Sequence, residues 1–308
     1  MPPNHHCWSL TMKIRALLAA IVACMVTGLG AFAQTDSAAT RVSAPELTPL
    51  KPLRPVTSVY TLEAGGTHLA DTYLTPLIYK GYSVALGYER WQAMKFDPEK
   101  WVMRLAFRGE WDDADSPAGN ASMWYAGLDA RWAMMRRWNI MPGFTAGVGG
   151  ATGIAGGCMY NGRNGNNPAS AKVQWTVDAA GYVAWNGRIG RLPVTASYLM
   201  TLPVTGAFFG PEYGELYYEI WLGNTRNLAH WAHWGNYFAM DNLLALDLHL
   251  GSTSLRVGYR GRVLSTNVSH LTTRITSNTF VFGLSGEWMS LDAHRKDASD
   301  PKIIHALY

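Results

Sequence analysis

Trp101-Val102-Met103-Arg104-Leu105-Ala106-Phe107-Arg108-Gly109-Glu110-Trp111 reads as two interleaved rows. One row is Trp101, Met103, Leu105, Phe107 and Trp111, with Gly109 in step; the other is Val102, Arg104, Ala106, Arg108 and Glu110. A period of two belongs to a β-strand, here with one greasy face, one charged face, and a tryptophan at each end of the greasy one. Ten residues rising ~3.3 Å each and tilted by ~45° span about 23 Å, close to the ~25 Å apolar band of an outer-membrane barrel. The expected fold is therefore all-β: a closed antiparallel up-and-down transmembrane β-barrel of about ten strands.

The same parity recurs along the chain. Tyr82, Val84, Leu86 and Tyr88 form one greasy row, Trp124 to Trp132 another, Val173 to Trp185 a third, and Leu244 to Leu250 and Phe280 to Trp288 continue it. Candidate strands fall near 56–66, 81–94, 101–112, 121–136, 139–151, 171–186, 191–202, 236–250, 254–264 and 276–289. Leu216-Tyr217-Tyr218-Glu219-Ile220-Trp221 is a further strand-like run, which leaves a count of twelve open. Short connections at 95–100, 136–138, 187–190 and 251–253 alternate with longer ones at 67–80, 113–120, 152–170, 203–235 and 265–275. Short periplasmic turns and longer external loops would place both termini in the periplasm. A soluble barrel would carry the same alternation with the greasy row buried. Paired terminal tryptophans, the two loop classes and the small residues on the charged face (Ala85, Gly87, Gly127, Gly147, Gly149, Gly258, Gly283) argue for the membrane form.

The ends read differently. Residues 1–11 are an upstream extension or a miscalled start; Met12 to Ala33 has the basic, apolar and small-residue regions of a signal peptide, with Cys24 as the rival lipidation site. Residues 34–55 form a Pro/Ser-rich periplasmic linker, 56–290 the barrel, and 291–308 a polar C-terminal tail. Cleavage after Ala33 leaves Cys158 as the only cysteine, which excludes an internal disulfide or a cysteine metal site. The +4 charge is spread along the chain, which gives no footprint for nucleic acid.

On this parity the lumen holds Glu63, Glu89, Glu110, Asp129, Asp178, Asp247 and Glu287 against Arg104, Arg108, Arg131, Lys172, Arg256, Arg260 and Arg262, with His249 beside them. Isolated buried ions are costly, so these groups must pair or keep water. The expectation is an ion-pair network that plugs the barrel of a structural or surface-interaction protein, without cofactor or metal. Two alternatives stay open. One is a narrow anion-permeable pore lined by arginines. The other is an omptin-like or lipid-modifying enzyme with an external-rim site drawn from Asp112, Asp113, His230, His233 and Asp241. Trp101, Trp111, Trp124, Trp132, Trp175, Trp185 and Trp288 are the expected membrane-interface girdle. Expected partners are outer-membrane lipid and lipopolysaccharide, and the barrel assembly machinery during biogenesis.

Gly81 to Glu89, Arg108-Gly109-Glu110-Trp111 and Asn166-Asn167-Pro168-Ala169-Ser170-Ala171-Lys172 resemble a domain-of-unknown-function family of outer-membrane proteins from Bacteroidota. The likeness runs from about Val56 to Ser290 and implies a cell-envelope barrel without supplying an activity. The same lineage implies Asp36-Ser37-Ala38 as an O-glycosylation triplet. Many outer-membrane barrels end on an aromatic residue, whereas here Trp288 is followed by a tail from Asp292 to Tyr308.

Overall fold

The computed structural model describes residues 52–224, 226–251, 253–288 and 302–307. The extension, the signal segment with Cys24, Asp36-Ser37-Ala38 and residues 289–301 lie outside the described residues. The strands are β1 (Val56–Asp71), β2 (Thr75–Ala93), β3 (Trp101–Asp115), β4 (Ser122–Met141), β5 (Phe144–Asn161), β6 (Ala169–Ile189), β7 (Leu192–Phe209), β8 (Ala229–Ala232), β9 (Tyr237–His249), β10 (Thr253–Val268) and β11 (Leu271–Trp288); one short helix, α1 (Tyr217–Trp221), lies between β7 and β8.

These strands close into a ring. Its order is β6-β5-β4-β3-β2-β1-β11-β10-β9-β7, and β6 pairs with β7 to complete the circuit. The first and last strands pair antiparallel from Val56↔Trp288 to Asp71↔Thr273. β8 adds no position, because it follows the line of β9 along β7: β9 pairs with Val194 to Thr201, β8 with Gly206 to Phe209. The barrel thus has ten positions and no free sheet edge.

The ring is inside out relative to a water-soluble protein. Leu86 is 66% exposed and Phe280 63%, whereas Glu63 and Asp247 are fully buried. A continuous apolar exterior around a charged interior fits a surround of hydrocarbon, not water. The soluble-barrel alternative requires the opposite assignment and fails on this point.

Two readings of the connections need correction. β4 does not turn at 136–138; it runs on to Met141 and turns at Pro142-Gly143, where Gly143 takes φ 77°. Two arginines interrupt the apolar alternation there but not the backbone ladder, which continues through Arg137↔Gly147. The long connections also shrink. Those read at 67–80 and 265–275 are a turn at 72–74 and a two-residue link at 269–270. Thr67, His68, Thr266, Thr272 and Thr273 all sit in ladders, so pairing extends past the level where lipid demands a greasy face. Periodicity reports the lipid, and hydrogen bonding does not need it.

The first residues of β1 and the turns at 94–100, 142–143, 190–191 and 250–252 define the proximal end. Connections 72–74, 116–121, 162–168, 210–228 and 269–270 define the distal end.

Leu86→Arg tests the exterior. In urea titrations of the barrel folded into lipid vesicles, it is expected to cost about 2–4 kcal/mol, the penalty for arginine on a lipid face. At a water-facing position the same change stays within about 0.5 kcal/mol.

Candidate functional site: the filled lumen

Seven of the ring positions send charged side chains to the centre. Arg104 of β3 grips Glu89 of β2 through two hydrogen bonds, at 2.7 and 3.2 Å. Arg256 of β10 holds Asp247 of β9 in the same forked way, at 2.7 and 2.8 Å. Planar guanidinium groups match carboxylates in this geometry, which makes these the strongest kind of pair. Arg260 bridges Glu63 (3.3 Å), Glu89 (3.1 Å) and Asp241 (3.5 Å), joining β1, β2, β9 and β10 across the lumen. Arg108 bridges Glu63 at 3.0 Å and Glu110. Arg262 reaches Glu110 (2.9 Å) and Asp129 (3.7 Å), and Arg131 reaches Asp178 (3.1 Å), Asp129 (3.3 Å) and Asp241 (3.8 Å). The result is one connected lattice of arginines and carboxylates. Two small voids remain within it, about 10 Å³ and 40 Å³, room for single waters or a few.

Apolar layers lie on either side of the ionic one. Toward the proximal end Trp91, Val102, Met135, Tyr182 and Val281 pack together, and the C-terminal residues Ala306 and Leu307 enter the same cluster. Toward the distal end Leu69, Tyr79, Met123, Tyr125, Met159 and Ile275 form a second. The small residues serve these aromatic rings more than the charges: a Cβ on Gly147 would stand 2.3 Å from the Tyr182 ring, and one on Gly127 2.5 Å from the Tyr125 hydroxyl.

The tail is a structural part of the proximal mouth. Leu53 donates to the Lys302 carbonyl and accepts from the Ile304 amide, both at 2.9 Å, and Ile304, Ala306 and Leu307 are buried. Arg137 clamps it, donating to the carbonyls of His305 (2.5 Å), Pro98 (2.8 Å) and Glu99 (2.8 Å). Residues 302–307 are therefore not the polar tail expected. Ile303, Ile304, Ala306 and Leu307 were the overlooked signal: an apolar run at the end of a polar stretch.

The distal mouth is lidded by loops. Tyr73, in the β1–β2 turn, donates to the Glu215 carbonyl at 2.9 Å and meets the Tyr217 ring edge-on at 5.6 Å. Asn164 of the β5–β6 loop donates to the Leu74 carbonyl at 3.1 Å. Burial, then the nearby Tyr217, Asp71 and Glu215, push the Tyr73 hydroxyl up to about 12, so it stays a donor at every physiological pH. The strand-like run at 216–221 is this lid's helix α1.

Several expected roles move. Glu287 is not in the central lattice; it sits at the proximal end, accepting from Thr57 and bonded to His305 Nδ1 at 2.8 Å. Lys172 is likewise outside it, paired with Asp71 at 2.7 Å near the distal end. Asp241 leaves the rim and joins the lattice, since it lies on the inward row of β9 beside the β10 arginines. The remaining rim candidates do not converge. Asp112 is buried against Thr67 at 2.9 Å, its neighbour Asp113 faces out toward Tyr82, and β3 stands five positions around the ring from β8. His230 bonds the Gly210 carbonyl, and His233 supports its own turn through Gly235. His249 lies between Thr195 and Ser254.

All seven expected girdle tryptophans are on the outward face. Trp111, Trp132, Trp175, Trp185 and Trp288 are exposed, Trp101 packs on Phe96, and Trp124 stacks between Trp111 and Tyr160 at 5.0 and 5.2 Å. Trp132 does not end its row, because β4 continues outward-facing to Trp138 and Ile140.

A family model described as "Protein of unknown function (DUF3316)" matches residues 19–295. The chain belongs to this family. No curated protein matches it. Among solved structures, this DUF3316 chain is similar to the outer membrane protease OmpT from Escherichia coli, at 7% identity and TM-score 0.46, covering 79% of this chain and 99% of that one. It is also similar to the translocator domain of the autotransporter NalP from Neisseria meningitidis, at 8% identity, TM-score 0.35, and 91% and 98% coverage. A third is the COG4313 outer membrane channel from Pseudomonas putida F1, at 9% identity, TM-score 0.33, and 80% and 100% coverage.

Two predictions follow from the lumen's chemistry. Asp247→Ala strands Arg256 and is expected to cost about 3–5 kcal/mol in vesicle unfolding titrations, while Asp247→Leu with Arg256→Met costs clearly less, because no charge is left alone. Separately, hydrogen bonding to Glu287 raises the pKa of His305. The tail's stabilisation from this bond is complete below His305's ordinary value of about 6.5 and fades as pH rises through the raised one. NMR titration of the imidazole should place it above the ordinary value, and Glu287→Gln should return it there.

Proposed function

We propose that this protein is a bacterial outer-membrane barrel, shut along its axis, that serves the envelope as a structural or surface-interaction element. The observation that carries this reading is the connected arginine–carboxylate lattice, sandwiched between apolar layers. An anion would need free arginines, and Arg256, Arg260 and Arg262 are each engaged by carboxylates. The unpaired arrangement of Asp112, Asp113, His230 and His233 gives no support to a rim hydrolase.

The apolar exterior supports the membrane placement and contact with outer-membrane lipid. The longest connection, 210–228, lies at the distal end, which supports a distal end facing outward and both termini in the periplasm. The likeness of Asn166 to Lys172 to Bacteroidota barrels supports that source. Assembly through the envelope's barrel machinery follows from the same reading.

Planar-bilayer recording tests the closed axis. The wild-type barrel is expected to insert without discrete conductance steps, and deleting residues 302–308 alone should leave it silent, because the ionic and distal layers remain. Regular steps from the wild type would overturn the proposal.

A further inference from the structure

The wall of the barrel is laced by ladders everywhere except at one place. β7 pairs with β9 only as far as Thr201↔Asp241, and its pairing with β8 resumes at Gly206↔Ala232. Between these points Leu202 to Thr205 have no ladder partner on that side, and Tyr237 to Met240 pair only with β10, from Thr266↔Tyr237 to Val263↔Met240. Four residues of strand correspond to a slot roughly 13 Å long.

Local chemistry maintains the slot. Pro203 has no N–H to give to a ladder, and proline within a sheet is confined to edges and irregularities. On the other flank of β7 the register shifts beside it, between Val177 and Asp178. The Pro203 carbonyl is taken by the indole N–H of Trp234 at 2.7 Å, a side chain and not a strand. Trp234 is itself exposed and rides on a built turn: the Asn236 side chain accepts from the His233 amide and donates to the Trp231 carbonyl, and the Tyr237 amide donates to His233. A single ring thus closes the gap from the outside.

Behind the gap lies the 40 Å³ void of the lumen. Pro203, Tyr237, Ala239, Leu264 and Ile275 line its outer part, and Asp241 stands at its inner, charged side. The slot's outward neighbours, Val204 and Phe238, are exposed and apolar. A charged solute arriving through hydrocarbon would lose its hydration before meeting any partner. An apolar solute loses nothing until it touches the pocket.

We propose that this slot is a lateral portal, latched by Trp234, through which a small, uncharged, largely apolar molecule dissolved in the bilayer enters the side pocket. The inference rests on the membrane placement proposed above, and it is independent of whether the axis conducts. In the latched state the pocket holds only a few heavy atoms, so entry requires the indole to swing off Pro203.

Site-directed labelling tests this. Ala239→Cys is made in a chain whose three native cysteines are serine, folded into phosphatidylcholine vesicles, and exposed to N-cyclohexylmaleimide or to a charged, sulfonated maleimide. Adding Trp234→Ala is expected to speed the lipid-soluble reagent about fivefold to tenfold, as loss of one hydrogen bond and its cover predicts, with little change for the charged one. Trp234→Phe, which keeps the ring and loses the N–H, should fall between. Equal rates with and without Trp234, or equal acceleration of both reagents, would overturn the portal. Heat-modifiable gel mobility reports folding of each variant, and flotation with the vesicles reports membrane placement separately, so failure of either is not confused with failure of the slot.

Discussion

Charge inside a narrow, water-poor tube has to be matched, and that demand organises this molecule. Each lumen arginine reaches carboxylates on strands other than its own, so the lattice acts as a set of cross-braces through the barrel axis. A one-residue slip of β10 would turn Arg256, Arg260 and Arg262 into lipid and bring greasy side chains inward. Register is therefore specified by electrostatics on one face and hydrophobicity on the other, with both penalties large. The ladder alone would tolerate many alignments.

Around this layer the lumen is packed as a soluble protein's core is packed. Apolar and aromatic side chains fill the space above and below, glycines of β4 and β5 accept the tyrosine rings, and the C-terminal segment completes the proximal layer. The lid loops then tie the distal mouth across the ring through Tyr73 and Asn164. Against so much cross-bracing, the unpaired stretch beside Pro203 stands out as the soft element of the wall. A molecule rigid along its axis concentrates its freedom in one lateral seam.

The alternating rows made the strand set, the ring and the sidedness legible without coordinates, because every second residue samples the same environment over the thickness of a membrane. They were also enough to list most of the lattice. The failures share a cause. Glu287, Lys172 and Asp241 have the right parity, but parity carries no depth, and depth decides whether an inward charge meets the central arginines, the tail or a lone neighbour. Beyond the bilayer the apolar signal stops while pairing continues, so the distal hairpins were read as loops. The tail was misread for the opposite reason: a six-residue packed segment is too short for any period to emerge.

Sequence alone determined that this chain buries its charges and exposes its hydrophobic residues, since that inversion is written into each strand by a two-residue repeat. Tertiary structure decided which charges meet, what closes the two mouths, and where the wall is left unlaced. Those outcomes depend on strand stagger and ring closure, which bring residues as distant as Glu89 and Arg260, or Leu53 and Ile303, into contact. No local pattern encodes a separation of that length, because the energy that selects it appears only once the ring is shut.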